Sequence, residues 1–373
     1  MRADKICCVA LASGAALCAS GAASADEWQI SYSADVIGPV SGGISQTGRL
    51  LDVIDVIGEI DLETIGLRHW RAGVFIENTS GGEPNLAVGT LQGIDNIEVE
   101  RQRLRLYEAW LERDWGAASL RFGLYDLNSE FNATDSAGLL LAPSFGISPE
   151  FSAAGPNGPS IFPSTALGAR YNVNLGEAAY ARFVVLNALA GVPGDPGGVD
   201  GEFDNGVLIA AEGGVHGFSF GAWSFSDDQP EIDGAGEARS QGVYFMLERA
   251  LNDPEGARAV TGFLRGGVSD GDTTEIKSAW QSGFLMRRVF ADRPESALSL
   301  GVAQAFLSDG YRDDQRALGV DVSAAETQFE LTYSDALCPR LTIQPDLQYI
   351  VRPGGERDID DALVAGLRVI VSL

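Results

Sequence analysis

The sequence is poor in the residues from which disulfide frameworks and metal centres are built. It holds four cysteines, and those at positions 7, 8 and 18 lie in an N-terminal segment that has the form of an export signal. Cys338 then stands alone, so neither an intrachain disulfide nor a multi-cysteine metal site is available. The two histidines, His69 and His216, are too few for a His-rich metal site and make a Ser-His-Asp triad a poor interpretation. We expect no metal, no cofactor and no enzymatic function.

Basic residues and long apolar runs are also scarce. Lys and Arg together number 26 against 52 Asp and Glu, a net charge of -26, which argues against a nucleic-acid partner. Beyond the first two dozen residues no uninterrupted apolar run approaches the roughly 18–20 residues that a membrane-spanning helix needs. A helical membrane protein is therefore excluded. With 45% hydrophobic residues over 373 positions, the chain nevertheless has the composition of a folded protein.

The first 25 residues are typical of a secretory signal peptide. Arg2 and Lys5 give a basic start, residues 6–17 form an apolar stretch, and Ala23-Ser24-Ala25 has the small-x-small form of a cleavage site. We therefore predict a signal peptide at residues 1–25 and a mature protein at residues 26–373.

Beyond residue 26 apolar and polar residues alternate with period two, which is typical of strands that have two different faces. In residues 341–351, for example, Leu347 and Tyr349 share one face while Asp346 and Gln348 share the other. This pattern predicts sixteen strands near 28–37, 46–57, 67–78, 100–114, 117–127, 165–174, 177–189, 204–213, 216–227, 239–250, 258–268, 275–290, 295–308, 324–334, 339–351 and 361–372.

The gaps between these strands alternate between long and short. Short periplasmic turns, long external loops, a lipid-facing exterior and a polar lumen characterise transmembrane β-barrels, and a closed barrel leaves no unpaired sheet edge in hydrocarbon. We therefore predict an all-β fold, a transmembrane antiparallel barrel of 16 strands in the bacterial outer membrane. The longest gap, residues 128–164, follows the fifth strand, where sixteen-stranded porins fold a loop into the lumen. We expect it to form a constriction loop.

Three local features refine this prediction. The alternation breaks within residues 100–114, where a bulge is expected to switch the register, and Pro345 removes one ladder donor from its strand. Aromatic residues at strand ends suit interfacial belts. They are Trp28, Tyr32, Trp70, Trp110, Trp115, Tyr171, Tyr333 and Tyr349.

Several segments occur in an order and spacing that suggest a known family. They are Arg103 to Trp110, Gly123 to Phe131, Gly155 to Pro163, Phe263 to Gly267, Glu326 to Tyr333 and Ile343 to Gly355. Together they resemble the carbohydrate-selective porins of the OprB type, although Leu373 stands where outer-membrane barrels more usually end in Phe. The resemblance implies passive diffusion of sugars and similar small solutes across a Gram-negative outer membrane. Outer-membrane lipid, lipopolysaccharide, the outer-membrane assembly machinery and a homotrimer are the partners to expect.

A sugar is neutral and rich in hydroxyls, so a selective pore needs fixed donors and acceptors at its narrowest point. The alternation places such side chains on inward positions of several strands. The candidate pore-lining residues for sugar binding are Arg105, Arg121, Arg170, Arg182, Glu330, Asp346, Gln348 and Arg368. The candidates in the constriction loop are Glu130, Phe131 and Asp135. The alternative roles are bracing of the loop by the arginines and packing of the loop against the wall by the aromatic rings, and packing is the favoured role for the rings.

Two other functions and two other sites stay open. Carboxylates in the pore mouth would favour a general or cation-preferring diffusion pore, which ion selectivity would reveal. A plugged lumen would favour a surface receptor or adhesin, which would show no conductance. Acidic external loops could bridge divalent cations to lipopolysaccharide or be solvated tips, and residues 270–275 could hold Ca²⁺, although an Asp-Gly pair between strands is ordinarily a turn.

Overall fold

The computed structural model describes residues 27–195, 197–234 and 236–373. The signal peptide predicted at residues 1–25 lies outside the described residues. Within them, sixteen strands form one closed antiparallel barrel in which each strand pairs with its neighbours along the chain and the first strand closes on the last. The predicted fold class and strand number are confirmed.

The strands follow one another in chain order with few helical elements between them. They are β1 (Glu27–Ser41), β2 (Arg49–Asp61), β3 (Trp70–Gly81), β4 (Arg103–Asp114), β5 (Ala118–Tyr125), β6 (Ala166–Asn174), β7 (Ala179–Asn187), β8 (Val207–Val215), β9 (Phe218–Pro230), β10 (Glu237–Ala250), β11 (Ala259–Ser269), β12 (Ile276–Arg287), β13 (Ala297–Leu307), β14 (Ala325–Cys338), β15 (Leu341–Val351) and β16 (Ala362–Ser372). The α-helices are α1 (Asn85–Val88), α2 (Pro149–Ser152) and α3 (Asp309–Ala317), and 3₁₀ turns occur at Leu62–Ile65, Leu127–Ser129, Asp135–Ala137, Pro143–Phe145 and Pro353–Gly355. No helix in the described ranges is long and apolar enough to cross a membrane.

The strands turn apolar side chains outward and polar side chains inward. On β15, Leu347 and Tyr349 are exposed on the outer surface, whereas Asp346 and Gln348 are buried inside the barrel. This distribution suits a barrel with hydrocarbon outside and a polar interior. It confirms the faces assigned from the alternation of residues 341–351.

The predicted bulge lies in β4 at Tyr107. The register shifts there, because Leu106 pairs with Ile76 of β3 while Glu108 pairs with Phe75. One extra residue allows Tyr107 and Glu108 to face inward in succession. Downstream of the bulge Trp110 also points into the barrel, where it is buried, so its assignment to an interfacial belt was wrong.

Pro345 weakens one ladder locally, as its missing N–H requires. Paired residues of β14 and β15 lie on either side of it, Thr332 with Asp346 and Asp335 with Ile343. The Thr332 hydroxyl donates to the Pro345 carbonyl oxygen at 3.2 Å. The Pro345 carbonyl oxygen thereby finds a partner where the ladder is interrupted.

Short turns and long loops segregate to opposite ends of the barrel. Residues 115–117, 216–217 and 339–340 are tight turns at one end, whereas residues 82–102 and 126–165 are long loops at the other. Both of these loops fold into the lumen, as the contacts described below show. The sequence predicted this for the segment after β5 and missed it for residues 82–102.

Aromatic packing holds loop 126–165 against the wall. Phe151 stacks on Trp223 of β9 with ring centroids 4.7 Å apart and planes 2° from parallel, and Phe145 meets Phe263 edge-on at 6.3 Å. Gly301 of β13 allows Phe145 to approach, since a Cβ at this position would lie 2.6 Å from the ring. The rings of this loop therefore pack against the wall, which was the favoured interpretation.

The outward orientation of β11 gives a stability prediction. Leu264 lies at the middle of β11 and is exposed on the outer surface, so Leu264→Arg would place a charge in hydrocarbon, at a cost of about 2–4 kcal/mol at the membrane midplane. A urea titration of refolding into lipid vesicles, scored by heat-modifiable gel mobility, should show this loss. Leu264→Ala is the uncharged control, and equal stability of the two variants would contradict the assignment of this face to lipid.

Candidate functional site

Arg265 of β11 fixes loop 126–165 to the barrel wall. Its guanidinium donates to the carbonyl oxygens of Asn132 at 2.7 Å, Ser144 at 2.8 Å and Gly146 at 2.9 Å, while Nε donates to Gln281 at 2.8 Å. The side chain is fully buried. Because a buried guanidinium needs hydrogen-bond partners, these carbonyl groups and the arginine satisfy one another.

Carboxylates on β14 hold the same loop by its backbone N–H groups. Glu330 accepts from Ala142 N at 3.0 Å and from Leu141 N. Gln344 of β15 donates to the Leu139 carbonyl oxygen at 2.7 Å. The loop begins at the end of β5 and is attached to β11 and to β14–β15, so it crosses the lumen from one side of the barrel to the other.

Loop 82–102 is fixed mainly by Glu326 of β14. This carboxylate accepts from Leu91 N at 3.0 Å, from the Gln92 backbone at 3.2 Å and side chain at 3.0 Å, and from the Thr90 hydroxyl. It also accepts from Gly354 N at 2.6 Å, in the loop between β15 and β16. One buried carboxylate thus joins two loops.

The second attachment of loop 82–102 is Arg368 of β16. Its guanidinium pairs with Asp35 of β1 at 2.5–3.0 Å and reaches Asp95 at 3.2 Å and Asn96 at 2.7 Å. Gln348 of β15 donates to the Ile94 carbonyl oxygen at 2.8 Å. This loop therefore covers the wall formed by β14, β15, β16 and β1.

A row of arginines lies on the facing wall. Glu112 of β4 is bound by three guanidinium groups, from Arg71 at 2.6 Å, Arg121 at 2.9 Å and Arg170 at 2.7 Å. Arg121 and Arg170 pair directly across β5 and β6. The shared carboxylate permits these like charges to stand side by side.

Glu130 links this row to the start of loop 126–165. It pairs with Arg170 at 2.7 Å and accepts from the Tyr125 hydroxyl at 2.6 Å, and its carbonyl oxygen accepts from Arg182. Burial would raise the pKa of Glu130, but Arg170, Arg121 and Arg182 outweigh burial and lower that pKa below its usual range. Glu130 therefore stays ionised and holds the row together.

The predicted arginines all face the lumen but differ in what remains exposed. Only 2% of the Arg105 side chain and 3% of the Arg170 side chain are exposed. Arg105 donates to the Pro163 carbonyl oxygen at 2.7 Å. Arg121 and Arg182 retain 13% and 17%. Arg121 lies over the Trp110 ring at 3.8 Å. Arg121 and Arg182 are thus the predicted arginines that a solute can most readily reach.

The remaining predicted residues lie mostly behind the loops. Glu330, Asp346, Gln348 and Arg368 are buried by loops 82–102 and 126–165. Phe131 is fully buried in the cluster between loop and wall, and Asp135 is exposed at a 3₁₀ turn.

The two loops leave a cavity of about 270 Å³ between them. Loop 82–102 contributes the polar side chains Gln92, Asp95, Asn96 and Glu98, and Asp126 and Asn128 come from the start of the facing loop. Apolar groups of loop 126–165, among them the half-buried Phe162, line the rest. Polar groups beside an aromatic ring are the combination that a sugar requires.

Sequence reasoning missed Arg265, Glu326 and the inward course of residues 82–102. Arg265 carries a detectable signal, since it interrupts an apolar stretch between Phe263 and Val268. Residues 82–102 form the second-longest loop, which was a further signal. Nothing in the alternation of β14 distinguishes Glu326, which holds a loop, from a carboxylate in contact with water.

Comparison with known proteins decides the family. The sequence profile described as "Carbohydrate-selective porin, OprB family" matches residues 45–236 and 226–373. The chain belongs to this family. It is 24% identical to Porin B of Pseudomonas aeruginosa over 405 residues, which cover 92% of this chain and 86% of that protein. The resemblance inferred from the sequence is confirmed.

Solved structures show the same fold for this porin. It matches the high-pH structure of Pseudomonas putida OprB with a TM-score of 0.83 at 20% identity, covering 94% of each chain. It also matches the outer-membrane channel DcaP of Acinetobacter baumannii with a TM-score of 0.57 at 12% identity, covering 93% of this chain and 97% of that one. The protein is an outer-membrane porin for the diffusion of carbohydrates.

The attachment by Arg265 gives a prediction for the open pore. Arg265→Met removes three bonds from a charged donor to loop 126–165, each worth about 1.5–3 kcal/mol, so the loop should become mobile. Single-channel recordings should show a larger and noisier conductance while heat-modifiable mobility is retained. Arg239→Met is the control, because Arg239 forms an exposed pair with Asp228. An unchanged conductance for Arg265→Met would contradict the role given to this side chain.

Proposed function

We propose that the cavity between loops 82–102 and 126–165 is the selective aperture of this porin and that it passes sugars of about monosaccharide size. The observation that carries this proposal is that each loop has its own attachments to the wall, loop 126–165 through Arg265 and loop 82–102 through Arg368, and that the cavity lies between the two loops. At about 270 Å³ it lies near the lower end of small-molecule sites, roughly 300–1,000 Å³. A longer oligosaccharide would have to cross it in extended form.

The chemistry of the aperture fits a sugar. The side-chain oxygen of Gln92 is buried without a hydrogen-bond partner among the described residues, and Gln92 lines the cavity. A sugar hydroxyl can donate to this oxygen. Phe162 offers an apolar surface on the other side for the C–H face of a sugar ring.

A second contact lies at Arg121, in the row on the wall. Its guanidinium is partly exposed, lies over the Trp110 ring at 3.8 Å and bonds Glu112, so few of its rotamers have to be ordered when a solute binds. We propose that Arg121 and Arg182 contact a passing sugar, whereas Arg105, Arg170 and Arg368 hold the loops.

The same proposal covers mode of action and partners. The porin acts as a channel and not as an enzyme, and its two histidines, His69 and His216, lie in the turns between strands with positive φ. A cavity between separately anchored loops supports an open channel over a plugged receptor. The homotrimer, lipopolysaccharide and the assembly machinery stay predictions.

The function is tested by recording the mature protein in a planar bilayer while glucose and longer glucose polymers are added. We expect open conductance and saturable block by glucose, with a weaker effect per molecule as the sugar lengthens. Conductance that does not respond to any sugar would contradict the selective aperture. Absence of conductance would contradict the channel and favour the plugged receptor.

The two neighbouring arginines should behave differently when replaced. Arg121→Ala should weaken block by glucose while the open conductance changes little, because the hydrogen bond of Arg121 is made to Glu112 of β4 and not to loop 126–165. Arg170→Ala should also release Glu130, so both the conductance and its noise should rise. Equal effects of the two replacements on conductance would remove the distinction between a solute contact and a loop support. Refolding yield, scored by gel mobility, serves as the common control.

A further inference from the structure

The aperture differs in charge from the wall that carries the arginine row. None of its described lining residues is Lys or Arg, whereas three of them, Asp95, Glu98 and Asp126, carry carboxyl groups. The arginine row lies on β3 and β5 to β7 and does not line the cavity. A solute therefore meets carboxyl groups at the narrow point with no opposing guanidinium in the lining.

These carboxyl groups are not equally compensated. Asp95 shares Arg368 with Asp35 at the edge of the cavity. Glu98 accepts a backbone N–H from Asn85 at 3.1 Å through both oxygens, and Asp126 accepts from Asn128 N at 2.8 Å. Because N–H groups stabilise a carboxylate without cancelling its unit charge, Glu98 and Asp126 leave the aperture negative when they are ionised.

An unpartnered atom of the lining points to a ligand with hydrogen-bond donors. Gln92 is more than nine-tenths buried, and its side-chain oxygen lacks a partner among the described residues. An ammonium group is a stronger donor to such oxygens than a hydroxyl, and a carboxylate or phosphate offers them nothing but repulsion. The site is therefore complementary to neutral and cationic polar solutes.

We propose that the aperture admits neutral sugars and amino sugars and rejects sugars that carry a carboxylate or a phosphate. This inference rests on the proposed function, because it assigns a substrate class to the same aperture. In a confined space a fixed unit charge changes the local concentration of an ion more than the same charge does in bulk water, because water screens the interaction. Neutralising one carboxylate should change the preference for cations by roughly fivefold.

The charge of the aperture should depend on pH. Burial raises the pKa of Glu98 to about 7, opposed by the Asn85 N–H and reinforced by Glu83. Burial also raises the pKa of Asp126 to about 7, reinforced by Glu108 of β4 and opposed by hydrogen bonds from Tyr107, Asn128 and Ser129. Since a carboxyl group is neutral below its pKa, the cation preference should be weak at pH 5 and increase as the pH rises through 7.

The pKa of the third carboxyl group, that of Asp95, is shifted in the same direction. Burial raises the pKa of Asp95 well above its usual range, and Asp35 of β1 adds to this, whereas Arg368 of β16 and the Ile97 N–H oppose it. Asp95 thus adds to the negative charge only at higher pH.

The test compares glucose, glucosamine and gluconate in swelling of liposomes that contain the porin, at pH 5 and pH 8. The porin should pass glucose and glucosamine faster than gluconate at pH 8, and the difference should shrink at pH 5. The variant Glu98→Gln with Asp126→Asn should pass gluconate at least several-fold faster relative to glucose, since both amides can still accept the backbone N–H. Glu100→Gln is the control, because Glu100 is exposed in the same loop and does not line the cavity.

The outcomes separate the inference from the function on which it rests. Entry of glucose with no discrimination against gluconate, in the porin and the double variant alike, would overturn the inference and leave the sugar aperture standing. Failure of glucose itself to enter would overturn the proposed function. A shift of the zero-current potential toward potassium at pH 8, lost in the double variant, would support the inference without using sugar flux.

Discussion

A loop placed inside a barrel brings backbone N–H and C=O groups that must find partners, and the barrel interior holds charged side chains under the same constraint. In this porin each set satisfies the other. Carboxylates such as Glu326 and Glu330 accept hydrogen bonds from backbone N–H groups of the loops. Arg265 and Gln344 donate hydrogen bonds to backbone carbonyl oxygens of the loops. The position of both loops, and with it the shape of the lumen, depends on these hydrogen bonds between wall side chains and loop backbone.

These hydrogen bonds also determine which charged side chains remain available to a solute. The carboxylates of β14 are largely used to hold loops, and on the facing wall Glu112 and Glu130 pair with the arginine row. The charges available to a solute are therefore those left over: the partly exposed Arg121 on the wall, and Glu98 and Asp126 at the aperture. An acidic chain can thus contain both a wall of arginines and an aperture that is negative.

The fold could be predicted from sequence because it depends on a local pattern. Alternation along 341–351 fixes which side chains of β15 face lipid, and the order of long and short gaps fixes the two ends of the barrel. The inward loop after β5 followed from its length and position. The bulge at Tyr107 was also visible, since the alternation itself breaks there.

The site could be predicted only in part, because alternation gives the face of a residue and not its partner. Arg121 and Arg170 occupy paired inward positions, yet one lies on Trp110 and the other holds Glu130. That difference depends on where loop 126–165 lies, which is decided by contacts distant in sequence such as those of Arg265. Loop 82–102 was missed for the same reason, since Glu326 is more than two hundred residues away from the backbone it binds.

The central claim is that solutes cross between the two loops, and cysteine accessibility tests it most directly. Gly138 lines the cavity and has an ordinary helical φ of −65°, so Gly138→Cys in a Cys338→Ser background should fold. A charged methanethiosulfonate reagent added during single-channel recording should then reduce the current, whereas it should leave Asp135→Cys unaffected, because Asp135 is exposed in the same loop and does not line the cavity. Full current through labelled Gly138→Cys would show that the path lies elsewhere in the barrel.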